Sequence, residues 1–310
     1  MRGRTPPRRL VLVEADRRLR QRRSAIGVVV LVAVAACGGA DGPERVASTA
    51  ALSDIEARPD GGVLLAERTT GRLLAIDADG REQELAQVAV VSEPGQRGLL
   101  GIASDGRATY ASYTRGGDGR LVVAEVAPDE ERIVWRGPPS ADAANGGRLA
   151  LWDRGLVIGI GDLSEPALVD DPDAPNGKLL LLDRSGPPEQ EPEVISAGWN
   201  NPFAFTVAGD GSILVADNAP GDVPERLARG DTGRPSEVVE LQGSTAPSGV
   251  VTDGEDLLVC GYVSGELRRY RPDGADHEVV SGGCRFDVAR LSDGRLALAD
   301  DDGVVVIDDP

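Results

Sequence analysis

Several residue types that often carry chemistry are scarce in this sequence of 310 residues. It contains one histidine, one methionine and three cysteines, and aromatic residues make up only 3% of the chain. It has no phosphate-binding loop, no Ser-His-Asp set, no CxxC-type metal spacing and no dinucleotide-binding fingerprint. Long segments with one charged helical face are also lacking. The 40 glycines instead favour a chain of short strands joined by turns.

The most complete copy of a repeated pattern occupies residues 144–183. An apolar run leads to an Asp-Gly-like turn, a second run follows it, and a third run begins after a glycine. The turn and second run recur at Asp60-Gly61, Asp105-Gly106, Asp153 to Gly155, Asp210-Gly211, Asp253-Gly254 and Asp293-Gly294. Successive copies are 45, 48, 57, 43 and 40 residues apart, a spacing typical of stacked or radial repeats.

The repeats predict an all-β fold, a six-bladed β-propeller whose blades are four-stranded antiparallel sheets. A β-sandwich is the alternative, but it does not require six near-equal copies. In the fourth repeat the third-strand role falls to residues 237–241. The last repeat lacks an obvious fourth strand, so we expect residues 46–52 to close the ring. The propeller domain is predicted to span residues 51–310.

The N-terminus resembles a secretory signal, because nine arginines in the first 23 residues precede a short apolar core. Residues 34–37, Val-Ala-Ala-Cys, resemble a bacterial lipobox. We therefore predict a signal peptide over residues 1–36, a lipid on Cys37 and a tether over residues 37–50. The protein is expected to be exported and anchored by this lipid to the outer face of a bacterial cell membrane.

Removing residues 1–36 takes away nine basic and two acidic residues, which changes the net charge from −18 to −25. Such a charge disfavours nucleic acid and anionic lipid as partners. The expected partner is a small polar or sugar-like ligand bound by a monomer, with the membrane contacted only through the lipid. Cys260 and Cys284 either form a disulfide or act as small buried residues.

Polar residues are expected to gather at one mouth of the ring, where first strands begin and second strands end. Such a set is the default candidate for a small-molecule site. Its proposed ligand-binding members are Asn145, Asn200, Asp217 and Trp199, although Trp199 is also a candidate blade anchor.

An ordered series of motifs resembles those of the PQQ-dependent soluble glucose/sorbosone (aldose sugar) dehydrogenases. The motifs are Gln96-Arg97-Gly98-Leu99-Leu100-Gly101, Asn145-Gly146-Gly147-Arg148-Leu149, Gly161-Asp162, Gly177-Lys178-Leu179-Leu180, Gly198-Trp199-Asn200-Asn201-Pro202, Ala246-Pro247-Ser248-Gly249 and Asp287-Val288.

The resemblance implies roles for a few matching residues. Gln96 and Asn201 match cofactor-contacting residues, and Asp162 matches the carboxylate that orients the catalytic base. Ala219 and Pro220 resemble a Gly-Pro pair whose carbonyls hold an active-site Ca²⁺. The cofactors implied are therefore PQQ and calcium.

Several positions depart from the family pattern. The general-base histidine of the family is Ala144 here, and His277 lies in an outer turn of blade five. A family arginine is Asn200, and a family lysine is Ser264. The final motif reads Cys284-Arg285-Phe286-Asp287-Val288, so both arginine positions have changed.

The departures predict that PQQ is held weakly and that redox catalysis is weak or absent. Three functions remain open from the sequence. The first is a PQQ-dependent sugar or alcohol dehydrogenase, and the second is a propeller that binds a ligand or protein without catalysis. The third is a lactonase-like hydrolase that holds a metal on Asp162, Asn201 and Asp217.

Overall fold

The computed structural model describes residues 44–47, 51–220, 223–241, 243, 245–271 and 276–309. The predicted signal peptide and Cys37 lie outside the described residues. Within that part of the chain, no helix has the length and apolar character needed to cross a membrane. Apart from one 3₁₀ turn, Pro166–Leu168, the described residues form strands, turns and loops.

The described residues form 24 strands in six four-stranded antiparallel sheets, which confirms the predicted six-bladed propeller. Blade one contains β2 (Leu52–Ala57), β3 (Val63–Glu67), β4 (Arg72–Ile76) and β5 (Glu82–Gln87); blade two contains β6 (Leu99–Ser104), β7 (Thr109–Thr114), β8 (Arg120–Ala127) and β9 (Glu130–Pro139); blade three contains β10 (Gly146–Trp152), β11 (Gly155–Ile160), β12 (Lys178–Leu182) and β13 (Glu193–Ala197). Blade four contains β14 (Asn201–Val207), β15 (Ile213–Asn218), β16 (Arg226–Arg229) and β17 (Ser236–Glu240); blade five contains β18 (Pro247–Asp253), β19 (Asp256–Gly261), β20 (Glu266–Tyr270) and β21 (His277–Gly282); blade six contains β22 (Asp287–Arg290), β23 (Leu296–Asp300), β24 (Gly303–Ile307) and β1 (Glu44–Ala47).

The first strand of each blade faces the axis, because each of these strands contacts the first strands of the two neighbouring blades. Six apolar clusters fill the spaces between consecutive blades. Burial of Leu, Val, Ile and Ala on both faces of each sheet drives this stacking, because every blade has two neighbours. The ring thereby fixes the starts of six different strands around one axis.

Two strand predictions need correction. The ring is closed by β1, Glu44–Ala47, which pairs with β24; the strand expected at 46–52 therefore begins earlier, and Leu52 already belongs to β2. The propeller thus includes four residues from the segment that the sequence assigned to the tether. In blade four the third strand is Arg226–Arg229, and the segment expected there, 237–241, largely forms the fourth. The third strand escaped notice because only two apolar residues, Leu227 and Ala228, lie between its arginines.

Candidate functional site

A cavity of about 270 Å³ lies on the axis at the face where the first strands begin. We call it the axial cavity. Its polar lining consists of the amides of Gln96, Asn145, Asn201 and Asn218, the hydroxyls of Ser53 and Ser248, and Arg68. Its apolar lining includes three aromatic residues, Phe203, Tyr262 and Phe286, which we call the aromatic wall. This combination of apolar surface with a few convergent polar groups is typical of small-molecule sites.

Two larger depressions, of about 660 and 580 Å³, lie at the opposite face. Both include turns that join first and second strands, and the larger one also includes the loop that follows β12. The arginines of the larger one are already paired, since Arg154 binds Glu193 and Arg184 binds Asp105. We therefore regard the axial cavity as the candidate site.

Gln96, Asn145 and Asn201 are held by hydrogen bonds across three blades. The Gln96 side-chain oxygen accepts from the Ala144 N–H at 3.0 Å, and Asn145 Nδ2 donates to the Gln96 carbonyl at 2.8 Å. Asn201 Oδ1 accepts from the Gly146 N–H at 2.9 Å. The three residues meet at one mouth of the ring because each stands close to where a first strand begins.

Ala144, where the family resemblance predicts a histidine, donates its N–H to Gln96 at the edge of this network. Its backbone is left-handed, with φ of 53°, and its carbonyl accepts from Leu163 N–H at 3.0 Å. A side chain at Gly161 would overlap that carbonyl, so the segments around Ala144 and Asp162 approach closely only because residue 161 is glycine. No imidazole replaces the missing base here, since His277 lies on the outermost strand of blade five beside Tyr270.

Asp162 is buried beside the axial cavity and does not line it. Its Oδ1 accepts from the Ser164 N–H at 2.8 Å, and its carbonyl accepts from Asn176 Nδ2 at 2.8 Å. Its N–H donates to the Asn200 carbonyl at 2.7 Å. These contacts order the loop that follows β11 and connect blade three to blade four.

Asp217 lies behind the cavity wall and is fully buried, so it cannot contact a ligand as the sequence suggested. Its carboxylate accepts from the N–H groups of Asn200 and Asn201, at 3.1 and 2.8 Å, and pairs with Arg226 at 2.9 Å. Burial raises the pKa of Asp217, while Arg226 and the backbone donors oppose that rise. Asn200 donates its Nδ2 to the same carboxylate and likewise lies outside the cavity lining.

Trp199 is also placed differently from the ligand contact expected for it. Its ring is fully buried in the core between blades three and four, its Nε1 donates to Ser196 Oγ at 2.9 Å, and Arg226 lies over it at 5.4 Å. The ring is therefore a blade anchor. Because the core covers the whole ring, no part of its surface is accessible to a sugar.

A buried ion network joins the blades next to residues that line the axial cavity, and sequence reasoning missed it. Arg148, from blade three, pairs with Asp54 of blade one and with Asp287 of blade six, the latter at 2.7 Å. It also donates to the carbonyls of Ser248 and Phe203, at 2.6 and 3.1 Å. Asp54 in turn accepts from the Ile102 N–H of blade two. We call Arg148, Asp54 and Asp287 the Arg148 network, and it connects all six blades.

Sequence reasoning also missed most of the aromatic wall. Phe203 is the third residue of β14 and Phe286 directly precedes β22, and neither has a motif signal beyond that position. The Tyr262 and Phe286 rings lie 6.0 Å apart, and Arg148 lies 5.0 Å over the Phe203 ring. Arg285 does not restore a cation to the site, because it turns outward and pairs with Asp300 and Asp301. Phe286 takes its place in the cavity lining.

Metal ligation has little support from the residues the structure describes. Among them, no three His, Cys, Asp or Glu side chains are grouped as a metal would require. Ala219 and Pro220 were the predicted carbonyl ligands. The Pro220 carbonyl already accepts a hydrogen bond from the Val223 N–H at 3.3 Å. Asp217, a proposed ligand for the hydrolase alternative, has its oxygens occupied as described above. The lactonase-like interpretation therefore finds no support in this geometry.

The fold and the site define a six-bladed propeller with a ligand-sized cavity on its axis. The sequence model of the Glucose / Sorbosone dehydrogenase family matches residues 51–223, and the chain belongs to that family. No curated protein matches the chain.

Solved structures share the fold. A glucose dehydrogenase-type oxidoreductase from Thermus thermophilus is 24% identical, with a TM-score of 0.73 over 86% of this chain and 98% of its own. The PQQ-bound aldose sugar dehydrogenase from Streptomyces coelicolor is 22% identical, with a TM-score of 0.70 over 84% and 95%. The apo form of the soluble aldose sugar dehydrogenase from Escherichia coli is 20% identical, with a TM-score of 0.68 over 83% and 95%.

Proposed function

We propose that the protein binds a neutral, sugar-like ligand in the axial cavity and has weak or no redox activity. The observation that carries this proposal is the lining itself, which combines aromatic, amide and hydroxyl residues and contains no carboxylate among the described lining residues. The amides of Gln96, Asn201 and Asn218 can bind the hydroxyls of a sugar, and aromatic faces can cover its apolar surface. An uncharged ligand also avoids repulsion from a strongly acidic protein.

The residues present do not fit PQQ, which carries three carboxylates. The only cation of the described lining is Arg68, and its Nη1 already donates to the carbonyls of Gly95 and Arg97, at 3.2 and 3.0 Å. A hydrogen bond from a cation to a carboxylate contributes about 1.5–3 kcal/mol. Lacking several such bonds, the site should bind PQQ orders of magnitude more weakly than a cation-lined one.

The decisive experiment is a pair of calorimetric titrations of the propeller, one with D-glucose and one with PQQ in the presence of Ca²⁺. We expect measurable binding of D-glucose or another uncharged aldose, and no PQQ binding in the micromolar range. Tight PQQ uptake would overturn the proposal in favour of the dehydrogenase interpretation.

A variant addresses catalysis directly. Ala144→His restores the family base at a left-handed position that histidine tolerates better than most residues, and Ala143→His is the matched control. We expect no dye reduction by either variant with PQQ, Ca²⁺ and aldoses, because neither variant adds the cationic side chains that would bind the carboxylates of PQQ. Turnover by Ala144→His alone would show that the rest of a dehydrogenase site is intact.

We further propose that the protein is exported and held at the membrane by a lipid on Cys37. The support is the lipobox-like sequence that follows an arginine-rich, apolar leader. The ligand would then be captured outside the cytoplasm.

A further inference from the structure

One covalent link joins two blades in the part of the chain that the structure describes. Cys260, near the end of β19 in blade five, forms a disulfide with Cys284, which precedes β22 in blade six; their Cα atoms are 5.1 Å apart. Both cysteines are fully buried in the apolar cluster between these blades. The sequence had left this pairing open.

Each cysteine of the disulfide is close in sequence to one member of the aromatic wall. Tyr262 follows Cys260 by two residues and Phe286 follows Cys284 by two residues, so each ring extends from a chain segment that the disulfide holds. Both rings line the axial cavity, with their centroids 6.0 Å apart. The cross-link thus joins the backbones that present this aromatic pair.

Polar contacts complete the same unit. Ser248, another lining residue, donates its hydroxyl to the carbonyl of Arg285 at 2.8 Å. Arg285 Nη1 donates to the Tyr262 carbonyl at 2.9 Å, and its guanidinium lies 5.7 Å from the Tyr262 ring. Arg285 therefore ties the Phe286 segment to the Tyr262 segment on the solvent side, while the disulfide ties them on the core side.

We infer that the Cys260–Cys284 disulfide is a clamp that positions Tyr262 and Phe286, so that affinity for a neutral sugar depends on it. This inference rests on the proposed function. Tyr262 is 51% exposed and stands in a turn beyond the end of β19, so little core packing fixes its ring. A ring that is ordered before binding loses less conformational freedom when the ligand arrives, and affinity rises accordingly.

A purely structural disulfide would stabilise the core without affecting this wall, and a spectroscopic reporter separates the two roles. The chain contains four tyrosines, of which Tyr110, Tyr113 and Tyr270 are buried and only Tyr262 is exposed. Labelling with 3-fluorotyrosine therefore gives four ¹⁹F resonances, and a Tyr262→Phe variant identifies the one from the wall.

The test compares wild type, Cys260→Ala/Cys284→Ala and a control, Leu296→Ala. Leu296 is fully buried in the same cluster but lies at the opposite end of blade six, where it pairs with Arg290 and Ile307. We expect the double variant to shift or broaden the Tyr262 resonance, to keep those of Tyr110 and Tyr113, and to bind D-glucose at least tenfold more weakly. Leu296→Ala should lower stability but keep both the Tyr262 resonance and the affinity.

An unchanged Tyr262 resonance in the double variant overturns the clamp, whatever the sugar affinity. An equal loss of affinity in Leu296→Ala also overturns it, because the effect would then follow stability alone. If wild type binds no neutral aldose, the proposed function fails and the affinity part of the inference falls with it. The fluorine spectrum still decides separately whether the disulfide positions the wall.

Discussion

Replacing Arg148 by methionine should destabilise the whole propeller, because this one side chain connects several blades near the axis. Its guanidinium pairs with two carboxylates and donates to two carbonyls, and all three charged side chains of the Arg148 network are buried. Methionine keeps most of the volume but leaves Asp54 and Asp287 without their cation. Breaking a buried pair in this way costs about 3–5 kcal/mol, because the remaining charge is desolvated and uncompensated.

The size of the effect should depend on pH in a defined direction. Burial raises the pKa of Asp287, and Arg148 opposes that rise in the wild type. Without Arg148 the folded state holds a proton on Asp287 that the unfolded state releases. The extra cost of Arg148→Met should therefore grow as pH rises from 4 to 8.

Urea denaturation at several pH values measures this prediction, with two further variants as controls. Arg148→Met/Asp54→Asn/Asp287→Asn removes the uncompensated charges and keeps acceptors for the Ile102 and Ile55 N–H groups, so it should recover much of the lost stability. Arg154→Met removes an arginine whose pair with Glu193 is half-exposed, and it should change the free energy of unfolding by under about 0.5 kcal/mol. A loss below about 1 kcal/mol in Arg148→Met would refute the network as a connector of the blades.

Two further predictions concern Glu56 and Cys37. Burial raises the pKa of Glu56 to about 8; a hydrogen bond from the Ser104 N–H opposes the rise, and repulsion from Asp287 and Asp105 adds to it. Because the unfolded state releases this proton at lower pH, the free energy of unfolding should fall as pH rises from 4.5 to 8. Glu56→Gln stays neutral; it should nearly match wild type near pH 4.5 and exceed it by on the order of 4 kcal/mol at pH 8, and equal urea midpoints at pH 8 would contradict this. Cys37→Ser should abolish metabolic labelling with palmitate and move the protein from the detergent to the aqueous phase of Triton X-114; retained labelling would place the lipid elsewhere.

The architecture could be predicted from the sequence because its signals are local. Each Asp-Gly turn and each apolar run of four to six residues identifies a hairpin by itself, and six copies at similar spacing leave few folds to choose from. Blade four shows the limit, since its third strand has two apolar residues between arginines and follows a long loop. A strand with so little pattern is defined only by its neighbours in the sheet.

The site could be predicted only in part, because its contacts join distant residues. The sequence placed Gln96, Asn145 and Asn201 together from their common position at strand starts. It could not show that Asp217 and Trp199 point into protein, since residues next to one another near a strand end face opposite directions. The Arg148 network was also hidden, because its carboxylates lie 94 and 139 positions away in the chain.

The family motifs that survive in this chain mostly serve the scaffold. Asn201 accepts a hydrogen bond from the Gly146 N–H at the start of β10, and Asp162 accepts one from the Ser164 N–H in the loop after β11. Arg148 and Asp287 belong to the network that joins the blades. Each of these residues satisfies buried backbone groups or charges, and such groups are costly to leave unpaired whatever the ligand is.

The altered positions are of another kind. Ala144 precedes the lining residue Asn145, and the Ser264 hydroxyl bonds within the turn after β19. Cys284 belongs to the proposed clamp, and Phe286 belongs to the aromatic wall. For this chain, a match to the motif series is therefore stronger evidence for the propeller fold than for the dehydrogenase reaction. We therefore expect Phe286, which adds apolar surface to the cavity lining, to influence the choice of ligand more than the scaffold motifs do.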